Sequence, residues 1–241
     1  MTNLVLLNNI DHQDLKVITD RSAEFGDEVM HVLTFPFEFR TIQAYYPILF
    51  QQHGDDGMQA VALLGFEEGE NLFLGEDGWS VSYIPAMIAR EPFVIGFKDA
   101  TDGSGEKTRM LSLDLDHPRV SRYVGEALFE TLGGYTPYLE RQANLLETIY
   151  QGAQHGQAFI KALQDANLFE SVSFEITLKD GSRNQLLGFS AINEEKFQQL
   201  PAETLDDWRN KGFLMPAFMV LASMANIQKL IDLKNKKLDA E

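Results

Sequence analysis

Tyr46-Pro47-Ile48-Leu49-Phe50-Gln51, then His53-Gly54-Asp55-Asp56-Gly57, then Gln59-Ala60-Val61-Ala62-Leu63-Leu64 is the stretch whose reading decides the fold. Two short apolar runs flank a joint rich in Gly and Asp, the pattern of a β-hairpin. Ala60 to Leu64 is apolar at every position, so both faces of that strand are expected to be covered. Upstream, Phe35, Phe37 and Phe39 alternate with Pro36, Glu38 and Arg40. Read as an extended segment, this sets three rings on one face and an ion-pair candidate on the other, with Pro36 at an edge or a strand start. Downstream, Gly75-Glu76-Asp77-Gly78 turns the chain into a half-buried strand in which Trp79, Val81 and Tyr83 alternate with Ser80 and Ser82. Pro85 suits the first turn of a short helix through Ala89, and Pro92 ends it before a strand Phe93 to Phe97. A polar loop over Asp99 to Lys107 and a strand Met110 to Leu115 complete the β-rich part.

The second half reads as mainly helical. One helix is expected from about Arg119 until Gly133-Gly134 breaks it. A longer helix starts at Thr136-Pro137, with Thr136 as N-cap, and reaches about Leu163. Ser171 to Leu178 and Arg183 to Ser190 form a second hairpin around Lys179-Asp180-Gly181-Ser182, where Asp-Gly favours a tight turn. Asn193 caps a short helix through Leu200, Pro201 to Asn210 gives another, and Leu214 to Leu233 is the last. The fold class is therefore α+β: one globular unit with a mixed or mostly antiparallel sheet, packed by helices of the C-terminal half. It is β-rich over 1–115 and helix-rich with a β-hairpin over 116–241.

Composition narrows the function classes. A chain of 241 residues with 44% hydrophobic residues supports a sizeable core and excludes disorder. A formal charge of −16 repels phosphate backbones and anionic lipid, so nucleic acid and anionic membrane are poor partners. With no cysteine there is no disulfide, thiolate metal site or Cys nucleophile. Met1 to Asp14 lacks the basic region of a secretory signal, and Phe213 to Ala225 is shorter than a bilayer span. A soluble, cytoplasmic protein without membrane insertion is expected. The apolar last helix allows a homo-oligomeric contact if its second face is exposed.

Motif chemistry is sparse. Gly103-Ser104-Gly105-Glu106-Lys107-Thr108 lacks the first Gly of a phosphate loop and places Glu106 before the Lys. Asp99, Asp102 and Glu106 lack the alternating carboxylates of a calcium loop. Asp114, Asp116 and His117 could hold a cation, but a cap or turn before Pro118 is the stronger reading. Glu67, Glu68 and Glu70 could pair as acid and base, against the commoner solvated turn. The five histidines, at 12, 31, 53, 117 and 155, show no i, i+4 pair, and Gly188-Phe189-Ser190-Ala191-Ile192 lacks the closing Gly of a nucleophile elbow. No metal site and no cofactor is assigned.

The candidate ligand-binding residues are the polar and aromatic groups of the central block: Glu38, Arg40, Tyr46, Asn71, Trp79, Tyr83 and Arg90. Arg90 could clamp a carboxylate or phosphate, and Trp79 or Tyr83 could stack on a flat ligand or a peptide side chain. The architectural reading of the same residues, as core aromatics and satisfied turn groups, is the stronger one.

The chain resembles the bacterial SapC family, named after a protein linked to surface-layer arrays. The resemblance is carried by His12 to Val17, Glu38-Phe39 ahead of Tyr46-Pro47-Ile48, Leu64-Gly65, Glu70-Asn71-Leu72-Phe73 and Trp79. Tyr83-Ile84-Pro85, Arg90 with Pro92-Phe93, and Thr136-Pro137-Tyr138-Leu139-Glu140 extend it over nearly the whole length. Ala89 and Phe218 to Ser223 depart from the family pattern, which usually has a basic residue and a His-containing run there. A peptide-transport permease shares the label SapC, but it needs membrane helices that this sequence does not show. The resemblance brings no agreed reaction. Relatives often stand beside outer-membrane receptors and flavin-dependent halogenase-like proteins, which implies an accessory role in substrate uptake or modification. Two expectations follow. One is a non-enzymatic binding protein for a peptide, protein or surface-associated substrate, with an aromatic groove at Trp79 and Tyr83. The alternative is an enzyme or enzyme subunit acting on a small molecule through Glu38, Tyr46 and Arg90, if these converge in a cleft.

Overall fold

A computed structural model describes residues 3–54, 57–99 and 107–239. Helices and antiparallel sheets make up an α+β fold. The chain divides into two compact units, Met1–Gly26 with Ala86–Tyr150, and Asp27–Pro85 with Gln151–Glu241. Each unit combines an early and a late stretch, so the change of composition near residue 115 marks no division between them.

The first unit is built on an antiparallel sheet in which Lys107–Asp114 lies between Leu4–Leu6 and Phe93–Asp99. Gly96 is required there, because a Cβ would sit 2.1 Å from Ser112 Oγ on the facing strand. Leu7, Leu15, Phe93, Leu113, Leu128 and Leu139 belong to its buried core. The helix expected from Arg119 does not form. Instead Val120–Ser121 and Glu126–Ala127 both pair with Lys16–Val17. Ser121 Oγ accepts the N–H groups of Tyr123 and Val124, a local turn that competes with helix, and Gly125 at φ 106° lets the chain pass Val17 O closely. The Thr136 cap does form, accepting Leu139 N–H at 3.3 Å and opening the helix Pro137–Asp165.

The second unit holds a five-stranded antiparallel sheet in the order Phe169–Thr177, Arg183–Ile192, Ile48–Gln52, Met58–Leu63, His31–Leu33. The two hairpins read from the sequence are joined edge to edge through Phe189 opposite Gln51 and Ser190 opposite Phe50. Met58–Leu63 is internal to the sheet, and Ala60 to Leu64 are all buried, which explains the unbroken apolar run. At the second hairpin, Asp180 Oδ1 accepts both the N–H and the hydroxyl of Ser182, and Gly181 takes φ 85°.

Three expectations change in this unit. Phe35 to Arg40 is not extended: Glu38 N–H donates to Phe35 O across a turn with Pro36 at its second position, and the helix Phe39–Ile42 follows. The turn separates Glu38, which is buried, from Arg40, which is exposed. The strand expected through Tyr83 is only Gly78–Trp79, paired with Leu74–Gly75. The last helix is two, Leu214–Ser223 and Asn226–Leu238. Ser223 Oγ donates to Val220 O and accepts Ile48 N–H, while Asn226 Nδ2 donates to Gln43 O and Tyr46 O. By length and composition Leu214–Leu238 could cross a membrane, and a third of its most apolar stretch is buried inside the protein.

Candidate functional site

Four of the seven candidate residues converge in the second unit. Thr34 follows the strand His31–Leu33 and is pinned by its N–H to Ala60 O; the Phe35–Glu38 turn then brings Glu38 back beside it. Thr34 Oγ1 donates to Glu38 Oε1 at 2.7 Å, and Tyr83 Oη donates to Glu38 Oε2 at 2.8 Å. Tyr46 follows the helix Phe39–Ile42, with its N–H on Ile42 O. Its hydroxyl donates to Tyr83 O at 2.5 Å and accepts Trp79 Nε1–H at 2.8 Å. The result is one chain, Trp79 to Tyr46 to Tyr83 to Glu38 to Thr34. Glu38 and Tyr46 are buried; Trp79 and Tyr83 are half-buried, and Phe73 packs edge-on to Tyr46 at 4.6 Å.

Burial holds the Tyr46 phenol well above the ordinary phenol range, against the smaller opposing pull of the Trp79 N–H. Burial does the same to Tyr83, reinforced by the Glu38 charge and the hydrogen bond to it. A phenol whose folded pKa is raised contributes stability that is present below its unfolded pKa of about 10 and lost as pH rises past it. The melting temperature is therefore expected to fall from about pH 10 upward, and more gently in Tyr83→Phe, as a pH series of thermal melts would read. Tyr138 of the first unit, pushed up to about 12 by burial, adds to the same alkaline limb. Tyr46→Phe leaves the Trp79 N–H and Tyr83 C=O without their partner and is expected to lower stability by about 2 kcal/mol in urea denaturation, with no change in m-value.

The other three candidates lie elsewhere. Arg40 is exposed on its short helix. Asn71 is buried and serves backbone, with Nδ2 donating to Asp27 O and Oδ1 accepting Phe73 N–H. Arg90 belongs to the first unit, where its guanidinium donates to Phe93 O at 2.8 Å and meets Glu91 at 3.0 Å. Sequence reasoning missed Thr34, whose position four residues before Glu38 is the available signal, and Lys234. The Lys234 ammonium lies 2.5 Å from Glu70 Oε1 and 3.4 Å from Glu67 Oε1, so these carboxylates serve an ion pair rather than a bare turn. Asp114 Oδ1 accepts the N–H groups of Asn3 and Asp116, and His117 meets Glu91 at 3.5 Å. Among the described residues no three His, Asp or Glu side chains gather to hold a metal. The loop 100–106, with Asp102, Glu106 and the start of the phosphate-loop-like stretch, lies outside the described residues.

The SapC family model matches residues 7–230 of the chain. The chain belongs to the SapC family. No curated protein and no solved structure gives a significant match. In this SapC protein the segments that carry the resemblance have identifiable structural work. Glu38, Tyr46, Trp79 and Tyr83 form the hydrogen-bonded chain. Gly65, Glu70 and Asn71 build the corner beside Lys234, and Thr136-Pro137 opens the long helix. The two departures also have places: Ala89 ends the short helix Ala86–Ala89, and Phe218 stands half-exposed on Leu214–Ser223.

Proposed function

We propose that this SapC-family protein is a non-enzymatic binding or accessory protein that recognises a peptide, a protein or a surface-associated substrate through Trp79 and Tyr83. The observation that carries this reading is that both rings are half-buried and fixed from behind, Trp79 by Tyr46 and Tyr83 by Glu38. Rigid aromatic groups with one apolar face offer contact area at little entropic cost on binding. The polar atoms of the cluster are committed to one another, and burial moves both phenols further from titration than an ordinary tyrosine, which supports recognition over general base chemistry. The alternative, an enzyme working on a small molecule, draws on the buried Glu38 carboxylate. Arg90, its third group, is engaged in the first unit by Glu91 and Phe93 O. A net charge of −16 favours a neutral or basic partner surface, and the cytoplasm is the proposed location.

Native mass spectrometry of freshly purified protein, paired with affinity capture from its own cells, tests the reading. A stoichiometric peptide or protein partner that is lost in a folded Trp79→Ala variant is the expected result. A retained small molecule with no macromolecular partner, turned over by the wild type and not by Glu38→Gln, would overturn it.

A further inference from the structure

The helix Leu214–Ser223 of the second unit contains no charged residue, and Ser223 is its only polar side chain. Pro216, Ala217, Val220 and Ser223 are buried. Met215, Phe218 and Ala222 stand at i, i+3 and i+7, a second apolar stripe of the same helix, and all three are exposed. A helix that is apolar on both faces calls for cover on both, and the protein itself covers one.

Beside this stripe runs a groove of about 550 Å³. Phe218, Leu221 and Ala222 line it from one helix, Glu194 and Phe197 from Glu194–Gln198, and Leu205 from Ala202–Lys211. Buried rings brace its walls: Phe197 meets Phe218 edge-on at 5.4 Å, and Trp208 lies between Phe197 and Phe213 at 6.3 and 6.4 Å. The groove is therefore formed before anything enters it.

Its surroundings are acidic. Glu194 lines the groove, and its hydrogen bond from the neutral Gln198 amide leaves its charge in place. Glu195 and Glu203 are exposed on the two helices that wall it. The cations of those helices are engaged locally, Arg209 by Asp206, Lys211 by Asp207, and Lys196 on Asn167 O. A second copy would set like-charged walls against each other, each on a chain of net charge −16, and anionic lipid is repelled by the same field. A concave apolar trough also fits a rod better than a flat bilayer.

We propose that this groove docks one amphipathic helix of a partner protein, with its apolar face on Leu205, Phe218 and Leu221 and Lys or Arg along its flanks. The helix Leu214–Ser223 is about 15 Å long and matches about three turns of such a partner. The proposal does not rest on the Trp79 and Tyr83 surface, and its test separates the two.

The probe is a fluorescent helix of Leu and Lys, about four turns long, with Leu at i, i+3, i+4 and i+7. Titrated with the full chain and followed by anisotropy, it is expected to bind saturably, one to one, and about ten-fold tighter than a scrambled peptide of the same composition. Phe218→Ala and Ala222→Gln, neutral changes at exposed positions, should each weaken it about ten-fold. Glu194→Gln should weaken it about three-fold at low salt and less at high salt. Trp79→Ala should leave it unchanged. Equal binding of the scrambled peptide, affinity that survives Phe218→Ala and Ala222→Gln, or a loss in Trp79→Ala as large as theirs would overturn the proposal. So would a dimer in sedimentation, or adsorption to phosphatidylcholine vesicles, that Ala222→Gln abolishes, since a second copy or a membrane would then be the occupant. If Phe218→Ala does not fold, Ala222→Gln decides alone.

Discussion

Lys234→Met is expected to lower folding stability by about 3 kcal/mol. The helix Asn226–Leu238 delivers Lys234 to the loop Gly65–Glu70, and Asn235 fixes the next turn by accepting Lys179 N–H at 2.8 Å. The side chains of Lys234 and Glu70 are 13% and 9% exposed, and Glu70 Oε2 is already committed to Phe66 N–H. Removing the ammonium strands a carboxylate that cannot turn to water without releasing that backbone group. A fully buried broken pair costs about 3–5 kcal/mol, and the partial exposure here places the value at the low end. Glu70→Gln in the Lys234→Met background should recover part of the loss, and urea denaturation of the four proteins measures the coupling.

The same pair shapes the pH profile. Burial pulls Lys234 down, but the hydrogen bond and charge of Glu70, with the charge of Glu67 added, outweigh it and hold its pKa above the ordinary 10.5. Its contribution is present below that value and lost at higher pH. Glu67 is held below its ordinary 4.5 first by the Asn184 amide and then by the Lys234 charge, so its contribution is present above 4.5 and lost as pH falls. Lys234→Met should flatten the alkaline limb more than the acid one, because Asn184 still holds Glu67. An unchanged alkaline limb together with unchanged stability would show that the pair has no net effect.

What the sequence disclosed was local. The hairpins Ile48–Leu63 and Phe169–Ile192 and the Thr136 cap each rest on turn or capping chemistry within a few residues of the element they start. The misread stretches depend on contacts far away. Val120 and Ala127 could be helical by pattern, and it is Lys16–Val17, over a hundred positions upstream, that recruits them as strands. The break after Ser223 is marked by Asn226 turning to Gln43 O and Tyr46 O, again unreadable from the helix itself. The site divided along the same line. Polar groups set beside aromatics singled out Glu38, Tyr46, Trp79 and Tyr83, but their order in the chain of hydrogen bonds needs turns that the pattern misread as strand. Arg90 fell in the other unit because the division passes between Pro85 and Ala86, with no linker composition to announce it.

Gly65→Ala is the other large effect, about 3 kcal/mol, and it arises from space alone. A Cβ at Gly65 would stand 2.4 Å from Glu70 O and 2.9 Å from Glu70 Cγ. The facing atom is backbone, and the backbone there is held at both ends. Leu64 N–H and Gly65 N–H both donate to Met30 O, Glu70 N–H donates to Glu67 O, and Leu72 N–H donates to Leu64 O. The added methyl must therefore displace Glu70, which loosens its bonds to Phe66 N–H and to Lys234 together. Gly69 in the same loop gives the contrast: its φ is 74°, yet a Cβ would meet nothing within 4 Å. Gly69→Ala carries only the left-handed strain of about 1 kcal/mol. Because Gly65→Ala and Lys234→Met both act on Glu70, the double variant should lose less than the sum of the two. Equal effects at Gly65 and Gly69, or strict additivity with Lys234→Met, would show that the corner yields freely and that Glu70 is not its keystone.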